Sequence, residues 1–291
     1  MNWTYVREVG LVRYAVRTAV RQFFKRVLRR GIDYRLPTGV SMHLPSASRF
    51  GSEVYVTGAR VDSGAEALFV RHLDADGDFV DAGANIGYYA LYAAPRVRRV
   101  WAFEPNPATL EILRANAERA GNVEVVPQAL FSRPGRMTLD IGSEAEISHL
   151  VIRGAGGAGA TGAATVEVEV TTLDAFTAAR SDVRITGIKI DVEGADLAVL
   201  EGARATIARD RPLVLTEFSE SAGNRPEDLA AFAAGLGYAM HAFLRTDPAS
   251  ARYSLRAVDA GDIAAGRCKM IFLVPPRLAA AFSAPVDKGG C

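Results

Sequence analysis

The stretch FVDAGANIGYYALYAA, residues 79–94, decides how this chain is read. A short apolar strand ends on Asp81, glycines stand at 83 and 87, and a helix-forming run follows. Glycine lets the backbone turn sharply and approach a ligand closely, and the start of the next helix offers N–H groups with no partner inside the helix. Asp81 can orient the polar loop, and Asn85 can cap the helix or touch the ligand. A tight strand-to-helix turn with no ligand would use the same glycines, so the loop alone leaves both readings open.

The next apolar segment discriminates between them. Val100 to Phe103 ends in Glu104, about 20 residues past the loop, where an acidic side chain can accept hydrogen bonds from both hydroxyls of a ribose. Loop and acid together point to an adenosine-containing ligand. Gly83 and Gly87, with no third glycine, depart from the G-x-G-x-x-G pattern that suits a pyrophosphate. A nicotinamide cofactor is therefore disfavoured, and a nicotinamide-dependent oxidoreductase stays only as an alternative, as does a non-catalytic adenosine-ligand-binding module.

Outward from the loop, apolar runs of a few residues alternate with helix-period segments from Asp78 onward, as expected of βα units around a buried parallel sheet. Strands are expected at Phe79–Asp81, Val100–Phe103, Val123–Val126, Ile185–Ile190, Leu213–Glu217, Tyr238–Phe243 and Met270–Val274. Between the third and fourth, alternating segments flank GAGGAGATGAA, residues 154–164. By composition that run is a flexible surface loop and not a phosphate cradle, because no strand leads straight into it and no helix follows. Ahead of the loop, Val40–Leu44 and Glu53–Thr57 alternate like short strands and Gly64–Leu73 reads as a helix, which together make a small β prelude.

Residues 1–35 are compositionally separate, with nine Lys and Arg against Glu8 and Asp33, a local charge of +7 that leaves −6 for the remainder. Arg13, Arg17, Arg21, Lys25 and Arg29 recur every four residues, while Val12, Val16, Val20, Phe23 and Val27 recur at helical spacing. That is an amphipathic helix. It either packs its apolar stripe on the main domain and solvates its basic face, or makes a peripheral contact with a membrane or a lipid-linked acceptor.

Over the 291 residues, 49% are hydrophobic and 23% charged, and the net charge is +1. This is ordinary globular composition, without the basic excess of a nucleic-acid-binding protein. The two cysteines, Cys268 and Cys291, have no zinc or disulfide spacing, and no run approaches the roughly 18 apolar residues of a spanning helix. A cytoplasmic protein is expected, with peripheral placement at a membrane surface left open.

Four motifs in one order, DAGANIGYY at 81–89, AFEPNPATLEILRAN at 102–116, IKIDVEGADLAVLEGA at 188–203 and PLVLTEF at 212–218, resemble the FkbM family of S-adenosylmethionine-dependent methyltransferases. The resemblance covers roughly residues 66–220. It implies a class I methyltransferase, Rossmann-like α/β fold: a mostly parallel seven-stranded sheet with helices on both faces, here joined to the N-terminal amphipathic helix and the β prelude. It also implies O-methylation of a hydroxyl on a sugar, glycolipid or polyketide-like small molecule. Carried onto this chain, Asp81, Gly83, Asn85 and Gly87 would line the methionine part of S-adenosylmethionine and Glu104 its ribose, with Asn106 and Gln128 bordering the adenine. The expected organisation is a helical extension at 1–35, a prelude at 36–76, the methyltransferase domain at 77–280 and a tail at 281–291.

Asp191 and Glu193 stand at the carboxyl end of the fourth strand and Glu217 at the end of the fifth, the edge where open α/β sheets bind ligands. Three converging acids repel one another unless they are solvated, protonated, paired with Lys189 or bound to a cation. Asp191, Glu193 or His149 could take a proton from the acceptor; alternatively Asp191, Glu193 and Glu217 could hold Mg²⁺. His43, His72 and His241 have no partnered spacing and are expected to be structural.

Overall fold

In the computed structural model, which describes residues 3–141, 148–151, 164–218, 223–245 and 253–283, the chain begins with α1 (Trp3–Val9) and α2 (Leu11–Phe23), which continues in a wider helical turn over Phe24–Leu28. An antiparallel hairpin follows, β1 (Ile32–Arg35) on β2 (Ser41–Leu44), then α3 (Arg49–Thr57) and α4 (Ala65–Arg71). The expected βα units come next: β3 (Asp78–Ala82), α5 (Tyr88–Ala93), β4 (Arg99–Phe103), α6 (Pro107–Ala117) and β5 (Val123–Val126). A side sheet is built from β6 (Ala129–Leu130), β7 (Gly135–Ile141), β8 (Ser148–Val151) and β9 (Ala164–Thr171). The chain then returns through α7 (Leu173–Ala178), β10 (Ile185–Ile190), α8 (Asp196–Gly202), α9 (Arg204–Asp210), β11 (Leu213–Glu217), α10 (Pro226–Gly235), β12 (Ala239–Arg245), β13 (Tyr253–Ala257), α11 (Ala260–Ala264), β14 (Met270–Val274) and α12 (Ala279–Ser283).

The main sheet runs in the order β13-β12-β14-β11-β10-β3-β4-β5. β11, β10, β3, β4 and β5 are parallel to one another, and β14 enters antiparallel between β11 and β12. All seven expected strands are present; the eighth, β13, is a hairpin partner of β12 at the sheet edge. β3 and β10 are buried along their whole length, as central parallel strands must be. Their side chains alternate between two apolar layers. Phe79, Val100, Leu215 and Phe272 join α4 and α5 on one face, whereas Val80, Trp101, Val214 and Ile271 face α8, α9 and α10 on the other. The fold class expected from the motifs is the fold observed.

Three local expectations need correction. Glu53–Thr57 is the second half of helix α3 and not a strand. Ser48 caps that helix by accepting a hydrogen bond from the Gly51 N–H, Gly58 ends it in the left-handed conformation, and Gly51, Val54 and Thr57 form its buried stripe. The alternation EVYVT misled because a helix-spaced pattern lay beneath it. Residues 281–283 belong to α12 and not to a tail: the Phe282 ring is buried against Phe272, His72 and His241 at 5.3, 5.3 and 5.8 Å. The two histidines are thus packing residues, as expected. The glycine-alanine run 154–164 lies outside the described residues apart from the backbone of Ala164.

The third correction concerns the N-terminal helix, which turns the middle of its basic stripe, Arg17, Arg21 and Lys25, inward and leaves Arg13 and Arg29 exposed. Arg21 is 1% exposed, and its guanidinium donates to the Leu44 carbonyl at 3.2 Å, to Ser52 Oγ at 3.2 Å and to the carbonyls of Pro45 and Ser48. Lys25 donates to Ser52 Oγ and Arg17 to the Val56 carbonyl in the last turn of α3, where a cation also meets the negative end of the helix dipole. The five-donor fork of arginine suits a loop of carbonyls that would otherwise cost about 1–3 kcal/mol each if buried unmet. The apolar stripe is left outside: Val12, Val16, Phe23 and Val27 are 51–75% exposed.

Candidate active site

A cavity of about 540 Å³ opens at the carboxyl ends of β3, β4, β10 and β11, within the range of small-molecule sites and at the edge where open α/β sheets place them. Asp81, Gly83, Asn85, Glu104, Asn106, Asp191, Glu193 and Glu217, all singled out from the sequence, line it together. Gly87 and Gln128 are not among its lining residues. Gly87 instead sits at the N-cap of α5 with φ 94°, where a Cβ would come within 2.9 Å of Leu113 and Leu91. The side chain of His149, on β8, lies outside the described residues.

One end of the cavity is made of backbone and two carboxyls. The loop after β3 folds back so that the N–H groups of Gly83 and Ala84 both donate to the Phe103 carbonyl, at 3.0 and 2.9 Å. Gly83 has φ 79°, and a Cβ there would lie 2.0 Å from the Asp191 carbonyl oxygen, so only glycine lets the loop pass the end of β10. Glu104 is nearly buried, and its two oxygens accept from the backbone N–H groups of Asn85 and Asn106, each at 2.8 Å. Burial pushes its carboxyl up, and those N–H groups pull it back only in part. A hydrogen bond from the Thr109 side chain adds to these two, and the Glu104 side chain lines the cavity. The Asn106 side chain also caps α6, accepting from the Ala108 N–H at 2.9 Å. Asn85, with φ 51°, turns its Oδ1 to the Ile86 N–H at 2.7 Å.

Asp81 differs from Glu104. It is 2% exposed, and among the described residues its Oδ2 has no hydrogen-bond partner although the side chain lines the cavity. Burial raises its pKa to about 7 despite the nearby Lys189 cation. A buried acceptor without a partner, on a residue that lines a cavity, is complementary to an ammonium ligand group, and the strand register sets Asp81 beside Lys189.

The other end is made of charges. Lys189 is 1% exposed; burial alone would depress its ammonium, but Asp191, Asp62, Asp81 and Glu217 around it reverse that and hold its pKa up. It pairs with Asp191 at 3.2 Å and lies 5.0 Å from the centre of the Tyr89 ring. Burial opposes the Asp191 carboxylate, yet Lys189 and a hydrogen bond from Glu217 outweigh it and keep Asp191 ionised. Glu217 carries the proton of that pair: burial and the Asp191 charge push it up to about 8, against the pull of Lys269 at 3.1 Å. The two acids titrate as a unit.

Sequence reasoning missed Asp62. It lies ahead of α4, and its Oδ2 accepts from the Tyr89 hydroxyl at 2.6 Å. Glu66 positions it, since its carboxyl accepts from the Asp62 N–H at 2.7 Å, the Gly64 N–H at 3.1 Å and the Tyr88 hydroxyl at 3.0 Å. The segment SGAE, 63–66, carries the spacing of a helix-start box, the one local signal that could have drawn attention to it. Lys269, Glu53 and Tyr5 were missed as well; all three line the cavity.

The expected Mg²⁺ ligand set is replaced by ion pairing. Among the described residues no group of three or more His, Cys, Asp or Glu side chains is arranged to hold a metal ion. Lys189 pairs with Asp191, Glu217 holds a proton between Asp191 and Lys269, and Glu193 is exposed at the rim in a left-handed conformation with φ 51°. Asp196, behind that turn, accepts from the N–H groups of Val192 and Gly194 and so shapes it.

Comparison with known proteins gives a consistent result. A family model described as the Methyltransferase FkbM domain matches residues 81–245, more than half of the chain. The hexuronic acid methyltransferase AglP of Haloferax volcanii is 29% identical over 136 residues, which are 46% of this chain and 53% of that protein. The methyltransferase sdnD of Sordaria araneosa is 29% identical over 187 residues, 54% of this chain and 72% of that one. The chain thus spans about half the length of the first of these relatives. A crystal structure of an FkbM methyltransferase from Methylobacillus flagellatus aligns over 91% of this chain and 60% of its own, with a TM-score of 0.43 and 15% identity.

Proposed function

Because the chain belongs to the FkbM methyltransferase family, we propose that it uses S-adenosylmethionine to methylate a hydroxyl on a sugar, glycolipid or polyketide-like small molecule. The observation that carries this reading is Asp81, a buried carboxyl with an unpartnered oxygen on the same cavity wall as Glu104. The two acids fit the two ends of that cofactor: Asp81 would receive the ammonium of its methionine part and Glu104 the ribose hydroxyls. Gly83 and Asn85 would lie along the methionine part, Gly87 would support the loop from behind, and Asn106 would border the adenine, whereas Gln128, which does not line the cavity, is given no contact. When bound, the cofactor supplies an electrophilic methyl group on a sulfonium.

The rest is the work of the chain's own residues. Asp191, ionised beside Lys189, is proposed as the group that takes the proton of the acceptor hydroxyl; the Asp191–Glu217 pair then carries two protons and releases one of them to solvent, which restores the singly protonated pair. Asp62, fixed by Tyr89 and Glu66, would orient the acceptor by accepting a hydrogen bond from a second hydroxyl. Glu193, on the rim, is proposed to contact the acceptor from outside, and His149 is retained as a third candidate for the proton on the grounds of sequence. A sugar acceptor is supported by the density of carboxyl and ammonium groups at this end, which suits a polyhydroxylated molecule, and by the name of the Haloferax relative. Lys189 and Lys269 would suit an acceptor that itself carries a carboxylate.

The test is methyl transfer from cofactor labelled in its methyl group. Acceptors would be uronic-acid oligosaccharides, neutral glycolipids and polyketide alcohols, with the product analysed for an ether methyl. Label in an O-methyl ether that is lost in Asp191→Asn supports the proposal; label on nitrogen or carbon, or undiminished transfer by Asp191→Asn, contradicts it.

A further inference from the structure

The N-terminal helix is amphipathic but docked the unusual way round, and the face it exposes has a composition of its own. From Leu11 to Leu28 the exposed large apolar residues are Leu11, Val12, Val16, Phe23, Val27 and Leu28, each more than 40% exposed. Val12, Val16, Phe23 and Val27 lie three to four residues or one double turn apart, so they form one stripe along the outer side of α2 and the turn that follows. Arg13, Arg26, Arg29 and Arg30 are exposed beside it, and no acidic residue occurs between Glu8 and Asp33. The orientation is fixed, because Arg21, buried among the carbonyls of residues 44–48, holds the opposite side down. Among the described residues, no other helix leaves large apolar side chains so exposed.

We propose that this face of residues 11–30 docks on an anionic lipid surface, lying in the plane of the headgroups with Val12, Val16, Phe23 and Val27 in the acyl boundary and the flanking arginines at the phosphates. An apolar stripe bordered by Arg and Lys is the composition of in-plane interfacial helices, and anionic headgroups are the partner complementary to a strip without acids. A second copy of the chain is the poorer occupant, because pairing two such faces brings two cationic borders together. The helix is long enough to lie on a membrane but not to cross one; no described helix is long and apolar enough to span. The helix that leads into this element reaches the cavity: Tyr5 of α1, six residues before the start of α2, lines its wall, as do Arg49 and Glu53. Docking would therefore set the mouth of the cavity close to the lipid, where an acceptor carried on a lipid anchor can be presented. The docking inference itself does not depend on the methyl-transfer reading.

The test is co-sedimentation of the full chain with vesicles of phosphatidylcholine alone and of phosphatidylcholine with phosphatidylglycerol in equal parts, at low and high salt. The expected result is binding to the anionic vesicles only, weakened by salt. It should fall by at least about tenfold in Val16→Glu/Phe23→Glu and by roughly fivefold for each of Arg26→Glu and Arg30→Glu. All these side chains are exposed, so thermal unfolding should not change, and the arginine variants keep the test decisive if the apolar variant folds poorly. Sedimentation equal to wild type in both sets of variants, or no binding by wild type to anionic vesicles, overturns the proposal. So does a wild-type dimer in solution that Val16→Glu/Phe23→Glu dissolves while vesicle binding is absent.

Discussion

The two ends of the cavity are built by different means. Around Glu104 and Gly83 the wall is backbone, and each carboxylate oxygen of Glu104 is held by one main-chain N–H within a single βαβ unit. Around Lys189 the wall is side chains: Asp62 from the connection before α4, Tyr89 from α5, Asp191 from the end of β10, Glu217 from β11 and Lys269 from the start of β14. A backbone cradle tolerates change outside its few fixed points and acts on ligand affinity. A charge cluster is mutually dependent, since every member sets the protonation of the others, and acts on turnover and on stability together.

Removing the cation at the centre of the cluster should therefore do the most damage. Lys189→Met leaves Asp62, Asp81 and Asp191 facing one another without a buried countercharge. It should lower the unfolding free energy by about 3–5 kcal/mol in urea titrations at pH 7, as breaking a buried pair does. If the loss were below about 1 kcal/mol, the cluster would be solvated and the contrast between the two ends would weaken. Asp62→Asn keeps the size and the Tyr89 contact but removes a charge. It should lower kcat by about tenfold or more while the affinity for cofactor, measured apart, stays within about twofold. Equal losses in both would place Asp62 at the wrong end.

The pH dependence of cofactor affinity should come from Asp81. Its folded pKa, raised to about 7 by burial, means that it is largely protonated below pH 7, whereas an ammonium in the cavity needs it ionised. Binding then pulls that pKa down. Affinity should fall as pH drops from 8 to 6, by up to about tenfold per pH unit below 7, and binding at pH 6 should release a proton. Calorimetry in buffers of different ionisation enthalpy detects that release, and Asp81→Asn should flatten the slope. Lys269 is mostly exposed, so Lys269→Ala should cost only about 0–1 kcal/mol of stability. It should also raise the Glu217 pKa further and move the alkaline limb of a kcat–pH profile upward.

The same contrast explains what could be read from the sequence. The glycine loop at 81–87 and Glu104 are one strand–turn–helix–strand unit, so spacing carries the information, and the central strands β3 and β10 were legible because buried parallel strands are continuous apolar runs. Asp62 and Lys269 reach the cavity only through long-range packing and an antiparallel register, Phe218 N–H to Lys269 carbonyl at 3.0 Å, which leave no local pattern. Asp191, Glu193 and Glu217 were found by position, and pairing of these acids with Lys189 was among the readings because Lys189 stands two residues before Asp191 on the same strand; the Mg²⁺ alternative failed because Lys269, which pairs with Glu217, comes from another element. The N-terminal helix was legible in its periodicity but not in its direction, and of the two placements left open the packing of the apolar stripe on the main domain is the one not found. Which stripe faces inward was decided by the carbonyls at 44–48, a partner that the helix sequence does not contain.

The central claim is that Glu104 and Asp81 form an adenosyl-amino-acid cradle in this cavity. The most direct test is calorimetric titration of S-adenosylmethionine, S-adenosylhomocysteine and NADH into wild type and Glu104→Ala. The account predicts that the first two bind and NADH does not, with Glu104→Ala weakening both by about 1–3 kcal/mol through loss of the buried ribose contact. Binding of NADH in preference, or affinities that Glu104→Ala leaves unchanged, would contradict it.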